Sequence, residues 1–496
     1  MTGSNKGIIV DRRTWIHVMV ILLTGIVFCS WSLSPSNFFQ FDDFKWQWKT
    51  QVASYLGLFN VIPNAPFNDR PVGAVLIKGL FSLFGVNAVA HHMVLLLIHL
   101  GNSLLLYWVL SIILHDFLKK TSQQSLKELP WVAAILFAGW SSSTLRAVYW
   151  DSAIFDLLAG FFALIASCFY FMAQNGKGRI WKSLLCILAY GLALRSKEMS
   201  VLLPCMLAVI TVWQITWNQR VLRSQITWNL PLLMGLIIMM IAYVARILWV
   251  KSNYPGLMEP SHPYFLTHDP LILARNFIRY LAIYFDPFQD DYIAANGGWS
   301  LPFYGLGSVL CLGFLWYAGR KYQQDRNPLI LIPCLLVLQM APVLQIQNMQ
   351  TRLYLYIPSM ILSVLTGAII CQIVGQYKRV GEDLRIVMLL LASFTILAAV
   401  SLNGSNPKYR NFYLSVGREN KKLYGEIMKI PTPPHGATVY LEGEKREFVP
   451  YCLFSEGSGS GDVVRSYYND PSLSVQIVSE TKINTYNIEE PTIYFK

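Results

Sequence analysis

A chain of 496 residues that is 54% hydrophobic and only 14% charged, with mean hydropathy +0.41, is too apolar to hide its surface in a soluble globule. Repeated apolar runs near the roughly 20 residues needed to cross a bilayer point to a polytopic α-helical membrane protein. The formal charge of +12 then reports topology rather than a nucleic-acid partner, because cytoplasmic loops of such proteins collect Lys and Arg.

The first apolar run begins near Thr14, directly after Asp11-Arg12-Arg13, and lacks a small-residue cleavage site. It reads as a retained signal-anchor helix. Hydropathy then places about eleven spans, at 14–33, 88–114, 130–145, 153–173, 180–194, 199–217, 229–250, 303–318, 328–346, 353–374 and 386–402. With a cytoplasmic N-terminus, the inner segments (1–13, 115–129, 174–182, 218–226, 318–327 and 376–385) hold 17 Lys/Arg in 66 residues. The outer segments (34–70, 144–152, 195–198, 251–302 and 347–352) hold 10 in 108, and this bias fixes the expected orientation. Residues 71–84 and 272–288 are apolar but short or interrupted by charge, and fit helices lying in the outer interface. Counting either as a span would invert every later loop and spoil the bias.

Past residue 403 the apolar runs end. Pro431-Thr432-Pro433-Pro434 marks a stiff connection, and short alternating stretches follow at 437–441, 446–454, 474–479 and 492–495, with a flexible Gly457–Gly461 turn among them. The expected division is a transmembrane domain at 1–403 and a small exterior α/β or β-rich domain at 404–496. The eight cysteines show no CxxC spacing, and seven lie in or beside apolar runs, which suits small buried hydrophobes better than disulfides or metal ligands.

Ionisable residues beside membrane spans are costly and need a reason. Arg195-Ser196-Lys197-Glu198 forms a tight outer turn between two apolar helices. It can snorkel to lipid headgroups or clamp a phosphate carried by a lipid, since Arg and Lys hold phosphate oxygens strongly in a low dielectric. Arg352 opens the aromatic segment Leu353-Tyr354-Leu355-Tyr356-Ile357-Pro358 and again suits an anionic ligand, although the tyrosines also fit an interfacial belt. His91, His92, His99 and Asn102 begin or line the second span. His99 and Asn102 share a face, as interhelical hydrogen bonding would require. Asp151 and Asp156 lie near Arg146 in topology and read first as structural ion-pair members.

Asp42 and Asp43 are adjacent acids in the first outer loop, on the same expected side as the cationic turn, Arg352 and Asp69-Arg70-Pro71. One carboxylate can deprotonate an acceptor hydroxyl as it attacks an activated sugar, while cations stabilise the departing phosphate.

Taken in order, Asp42-Asp43, Asp69-Arg70-Pro71-Val72, Phe84-Gly85, His92 to Asn102, Leu194–Glu198, Phe285–Tyr292 and Arg352–Ser359 resemble motifs of the GT-C fold glycosyltransferases. The likeness is nearest to protein O-mannosyltransferases with a tetratricopeptide tail, and extends to bacterial aminoarabinose transferases. It implies inverting transfer from a polyprenyl-phosphate sugar to a protein, lipid or glycan acceptor, at the periplasmic face of a bacterial inner membrane. Asp42 or Asp43 would be the base, and Lys197 and Arg352 the donor-phosphate contacts, joined by Arg195 and Arg70. His92, Glu198, Tyr354 and Asp291 would be substrate contacts. No metal ligand is assigned; family members differ in their use of a divalent cation, and an Asp-Asp pair does not decide it. Two departures stand out: the repeat tail is absent, and Phe155-Asp156-Leu157-Leu158-Ala159 replaces a family Arg-x-Glu-Leu-Leu-Ala. The rival reading is a multispan transporter or flippase, which would place charges near the bilayer midplane in discontinuous helices.

Overall fold

The computed structural model describes residues 12–40, 42–59, 70–120, 124–140, 146–174, 178–217, 222–252, 265–285, 331–348, 351–375, 381–402, 405–429, 431–442, 462–478 and 492–495. Six helical segments among these are long and apolar enough to cross a membrane: Arg12–Leu33, Ala88–His115, Asp151–Gln174, Glu198–Ile215, Leu230–Val250 and Arg352–Gly375. The chain is therefore a polytopic, largely α-helical membrane protein. Helices Leu129–Gly139, Arg179–Ser196, Leu331–Leu344 and Glu382–Leu402 fall on four more expected spans. The expected span 303–318, the 446–454 strand and the Gly457–Gly461 turn lie outside the described residues.

The short Leu129–Gly139 helix differs in character from the others. Its 11 residues are all buried, and at about 16 Å it is too short to cross a bilayer alone. It packs against the helices Arg12–Cys29, Tyr356–Gly375 and Glu382–Leu402. Glycine permits the closest approach: a Cβ on Gly139 would stand 2.8 Å from Leu397 Cδ1 and 3.1 Å from Thr24 Cγ2. By contrast, Leu230–Val250 is mostly exposed, with Ile238, Ile241 and Leu248 on its surface, as a lipid-facing helix requires. The apolar stretches 71–84 and 272–288 form helices Pro71–Phe84 and Pro270–Phe285, both shorter than a span. Pro71 starts the first of these, and Gly85, at φ 55°, ends it by donating its N–H to the Phe81 carbonyl.

The chain divides into two compact units. Unit one comprises residues 1–30, 96–146 and 156–406; unit two comprises 31–95, 147–155 and 407–496. Inside unit one a polar lattice joins four helices. His99 Nε2 lies 3.1 Å from the Ala138 carbonyl, and its Nδ1 lies 3.0 Å from the Tyr356 hydroxyl. Asn102 Nδ2 donates to that hydroxyl at 2.9 Å and to the Leu157 carbonyl at 3.0 Å. One proton arrangement satisfies the set: the neutral imidazole donates from Nε2, while Tyr356 accepts from Asn102 and donates to Nδ1. His99 and Asn102 thus serve interhelical hydrogen bonding.

Unit two combines the loop after the first span with the C-terminal segment. Strands β1 (Thr438–Glu442), β2 (Ser474–Val478) and β3 (Thr492–Phe495) form a parallel sheet in the order β2-β1-β3. The hydropathy reading had no helices here, yet Ser405–Ile427 and Asp462–Tyr468 are helical. The first is polar overall but buries Val416, Asn420, Tyr424 and Ile427, spaced by four, four and three residues along one face. Its apolar side joins Val439, Val463, Val464 and Leu473 in a core with Phe38, Phe39 and Phe44.

Of the cysteines among the described residues, Cys29, Cys168, Cys186 and Cys371 are buried, Cys205 is half-buried and Cys334 exposed; all are free thiols.

Replacing Gly139 by Leu is expected to cost about 1–3 kcal/mol, because Leu397 and Thr24 leave no room. Gly235→Ala, where a Cβ meets nothing within 4 Å, is expected to be neutral or stabilising. Thermal unfolding of both variants in detergent checks the contrast.

Candidate functional site

The acid pair opens the helix Asp43–Val52. Asp43 is 2% exposed and both of its oxygens are engaged. Oδ2 accepts the Gln40 N–H at 2.8 Å, a side chain reaching back over the first turn as in a capping box. Oδ1 accepts the Ser152 N–H at 2.9 Å and the Ser152 hydroxyl at 2.6 Å. Burial and the nearby Asp151 push the Asp43 carboxyl well above the usual carboxylate range, against the pull of these donors. Asp43 is built as an anchor joining the loop to residue 152. Asp42 is half-buried, makes no side-chain capping bond, and sits in the field of Lys45 and Arg70. Burial raises its carboxyl, and the two cations pull it part of the way back. Of the two acids, Asp42 has the freer carboxylate.

The acid helix is held at its other end too. Lys78 Nζ donates to the carbonyls of Thr50 (2.8 Å), Gln51 (3.2 Å) and Ala53 (2.9 Å), satisfying the last turn. Trp46 packs on Phe155 at 4.5 Å between ring centroids, and the Arg70 guanidinium lies 5.5 Å from the same ring. Arg70 therefore belongs to the surroundings of Asp42.

Beneath the acids, His91 Nδ1 lies 3.2 Å from Asp151 Oδ2, and His91 Nε2 lies 3.1 Å from the Gly85 carbonyl. Both neighbours accept, so the pair needs a proton on each contact and carries no net charge whichever partner holds it. His92 is fully buried, close to Asp151, His91 and the Val148 backbone.

Unit one holds the cations. Lys197, 3% exposed, follows the helix Arg179–Ser196 in extended conformation and meets Asp156 Oδ2 at 2.6 Å. Its ammonium also lies 5.3 Å from the centroid of the Tyr354 ring. Arg352 is 2% exposed and opens the turn Arg352–Leu355, which leads directly into the helix Tyr356–Gly375. Thr351 caps that turn by accepting the Leu353 N–H, and its hydroxyl oxygen also accepts from Arg146 Nη1 at 2.8 Å. Residues 351–354 thus draw in Arg146, Lys197 and Arg352. Arg195 and Glu198, both half-buried, flank Lys197. Four cations, Arg146, Arg195, Lys197 and Arg352, and two acids, Asp156 and Glu198, lie on these described segments.

The sequence-derived candidates therefore fall into two sets. Asp42, Asp43, Arg70 and His92 lie in unit two; Arg195, Lys197, Glu198, Arg352 and Tyr354 lie in unit one. Asp291 lies outside the described residues. Asp156 forms an ion pair with Lys197, and Asp151 shares a hydrogen bond with His91. Among the described residues no group of three or more His, Cys, Asp or Glu is arranged to hold a metal ion. Ser152, Gln40, Lys78 and Thr351 escaped the sequence reading. Only Thr351 carried a local signal, as a capping residue before an apolar helix.

Lys197→Met is expected to destabilise the fold by about 3–5 kcal/mol by leaving Asp156 buried without its ammonium, and Lys197→Met with Asp156→Leu to recover much of that loss. Denaturation of the single and double variants measures it. A carboxyl raised by folding binds its proton more tightly in the native state, so it lowers stability as pH climbs from the ordinary carboxylate range to the raised value. The difference in stability between the wild type and Asp43→Asn should accordingly move against the wild type over that interval. Unfolding midpoints measured against pH test the sign.

Compared with protein-family models the chain finds no match, and compared with curated proteins it finds none either, so the likeness to GT-C enzymes rests on its motifs alone.

Proposed function

We propose that this chain is an integral-membrane glycosyltransferase that moves a sugar from a polyprenyl-phosphate carrier to an acceptor at the outer, periplasmic face of a bacterial inner membrane. The observation that carries this reading is the cluster on residues 351–354, where Arg146, Lys197 and Arg352 meet the start of a membrane-length helix. Cations at that position suit the phosphate of a lipid carrier, whose chain remains in the bilayer. The helix start adds backbone N–H groups and the positive end of the helix dipole.

In this reading Asp42 takes the proton from the acceptor hydroxyl as its oxygen attacks the anomeric carbon from the face opposite the phosphate. The C–O bond to phosphate breaks, configuration inverts, and the phosphate departs on its carrier with its charge balanced by Arg352 and Lys197. Asp43 keeps the loop in place through Ser152 and Gln40. Asp156 holds the Lys197 ammonium in one position, which lowers the entropy lost when a phosphate arrives. Eleven spans and an exterior C-terminal domain belong to the same proposal. The acceptor class, whether protein, lipid or glycan, stays open within it.

The test is transfer by the purified full chain from polyprenyl-phosphate-linked mannose, glucose or aminoarabinose in detergent. Asp42→Asn should lower kcat about 10²–10⁴-fold with little change in donor KM. Because Asp42 acts as a base and its carboxyl is raised by burial, the wild-type rate should rise with pH through that raised value and then level off. Undiminished turnover by Asp42→Asn would remove the base, and flux of a soluble solute through proteoliposomes without transfer would favour the transporter.

A further inference from the structure

The C-terminal segment grips the loop that carries the acids, and it does so at the backbone just before them. Asn420 is fully buried, and its Nδ2 donates to the Phe39 carbonyl at 2.9 Å, three residues ahead of Asp42. Gly417, one turn earlier on the same helix, lies directly against the chain at Ser36–Phe38. A Cβ there would run into the Ser36 carbonyl and stand 2.6 Å from the Phe38 nitrogen. Tyr424 completes the face: its ring stacks on Phe44 at 5.6 Å and an angle of 22°, and meets Phe38 at 5.6 Å. Two further contacts come from the helix Asp462–Tyr468 and the residue after it. Ser466 donates to Gln51 Oε1 at 3.1 Å, and Gln51 donates to Asn469 Oδ1 at 3.0 Å. Both ends of the acid helix are thus tied to the C-terminal segment, with Asn420 381 residues from Phe39 and Ser466 415 residues from Gln51.

We propose that the C-terminal segment is a positioning clamp for the Asp42–Asp43 loop, with Gly417 and Asn420 as its positioning residues. A buried amide on one carbonyl and a glycine pressed against backbone fix where a chain runs, not merely that it is covered. Gln40, the residue after Phe39, donates its N–H to Asp43 Oδ2, so the gripped backbone is bonded directly to the acid pair. Asp43 has little freedom of its own, since it is anchored on Ser152. The inference rests on the proposed function only for calling that position catalytic; the clamp itself stands on contacts within unit two.

The experiment uses the full chain in detergent, with Asn420→Ala and Gly417→Ala as variants. Arg418→Ala, exposed on the same helix, is the control. Two readings are taken: hydrogen exchange of backbone 36–46, and modification of the Asp42 carboxyl by a carbodiimide with an amine nucleophile, followed by mass spectrometry across pH. The groups facing this site are Lys45 and Arg70 for Asp42, and Asp151 for Asp43. The expected result is exchange at 36–46 faster by tenfold or more in both variants, with residues 88–114 and 356–375 unchanged. The pH midpoint of Asp42 modification should fall toward that of an ordinary exposed carboxylate, and Arg418→Ala should match the wild type. An unshifted midpoint with unchanged protection would overturn the clamp. Loss of protection throughout the chain would overturn it equally, because the contacts would then hold the fold rather than the loop. Whether sugar is transferred from any polyprenyl-phosphate donor bears on the enzymatic reading alone, so the two failures can be told apart.

Discussion

The buried Lys197–Asp156 contact at 2.6 Å is the interaction on which the account of unit one depends. An ammonium 3% exposed beside membrane-length helices is too costly to keep without a partner, and Asp156 supplies one. Other cations lie on the same segments. Arg146 and Arg352 converge on the same short turn, and Arg195 stands two residues from Lys197. A gathering of cations at the start of a span is the feature that an anionic headgroup answers. It is also a feature that hydropathy alone would never require, since an apolar turn would be simpler to place.

Unit two solves a different problem. Adjacent acids repel and resist burial, yet Asp43 is almost wholly enclosed. Three donors from Gln40 and Ser152 make that tolerable, and in doing so they occupy both of its oxygens. The two carboxylates consequently differ in kind although they are neighbours in sequence. Asp43 is held as an anchor, and Asp42 keeps the freer carboxylate. The helix that follows is fastened by Lys78 at its C-terminal end and by the C-terminal segment along its side.

Much of this was legible beforehand. Apolar length located every helix over the predicted spans that the structure describes, and the charge-bearing turns at 195–198 and 352 stood out because charge is rare in such a chain. That His99 and Asn102 work from one helix face, both meeting the Tyr356 hydroxyl, followed from their spacing. What escaped was of two sorts. The helix Ser405–Ile427 is polar, and its buried stripe of Val416, Asn420, Tyr424 and Ile427 includes an asparagine and a tyrosine, so an apolar count passes over it. The partners of the acids are distant in sequence: Ser152 is 109 residues from Asp43, and Asn420 is 381 from Phe39. No local pattern encodes such a meeting, because nothing in the spacing of a serine or an asparagine says which carbonyl or carboxylate it will reach. Leu129–Gly139 shows the converse limit: hydropathy marks an apolar run without saying whether lipid or protein surrounds it.

The central claim is that the cations around residues 351–354 bind the phosphate of a lipid carrier. Its most direct measurement is equilibrium binding of a polyprenyl phosphate, compared with the uncharged polyprenol, to the full chain in lipid nanodiscs. The account expects binding that depends on the phosphate and weakens at least tenfold in Arg352→Ala, about the 1.4 kcal/mol that one decade represents. Equal binding of the two lipids, or an Arg352→Ala protein that binds the phosphate as the wild type does, would contradict it.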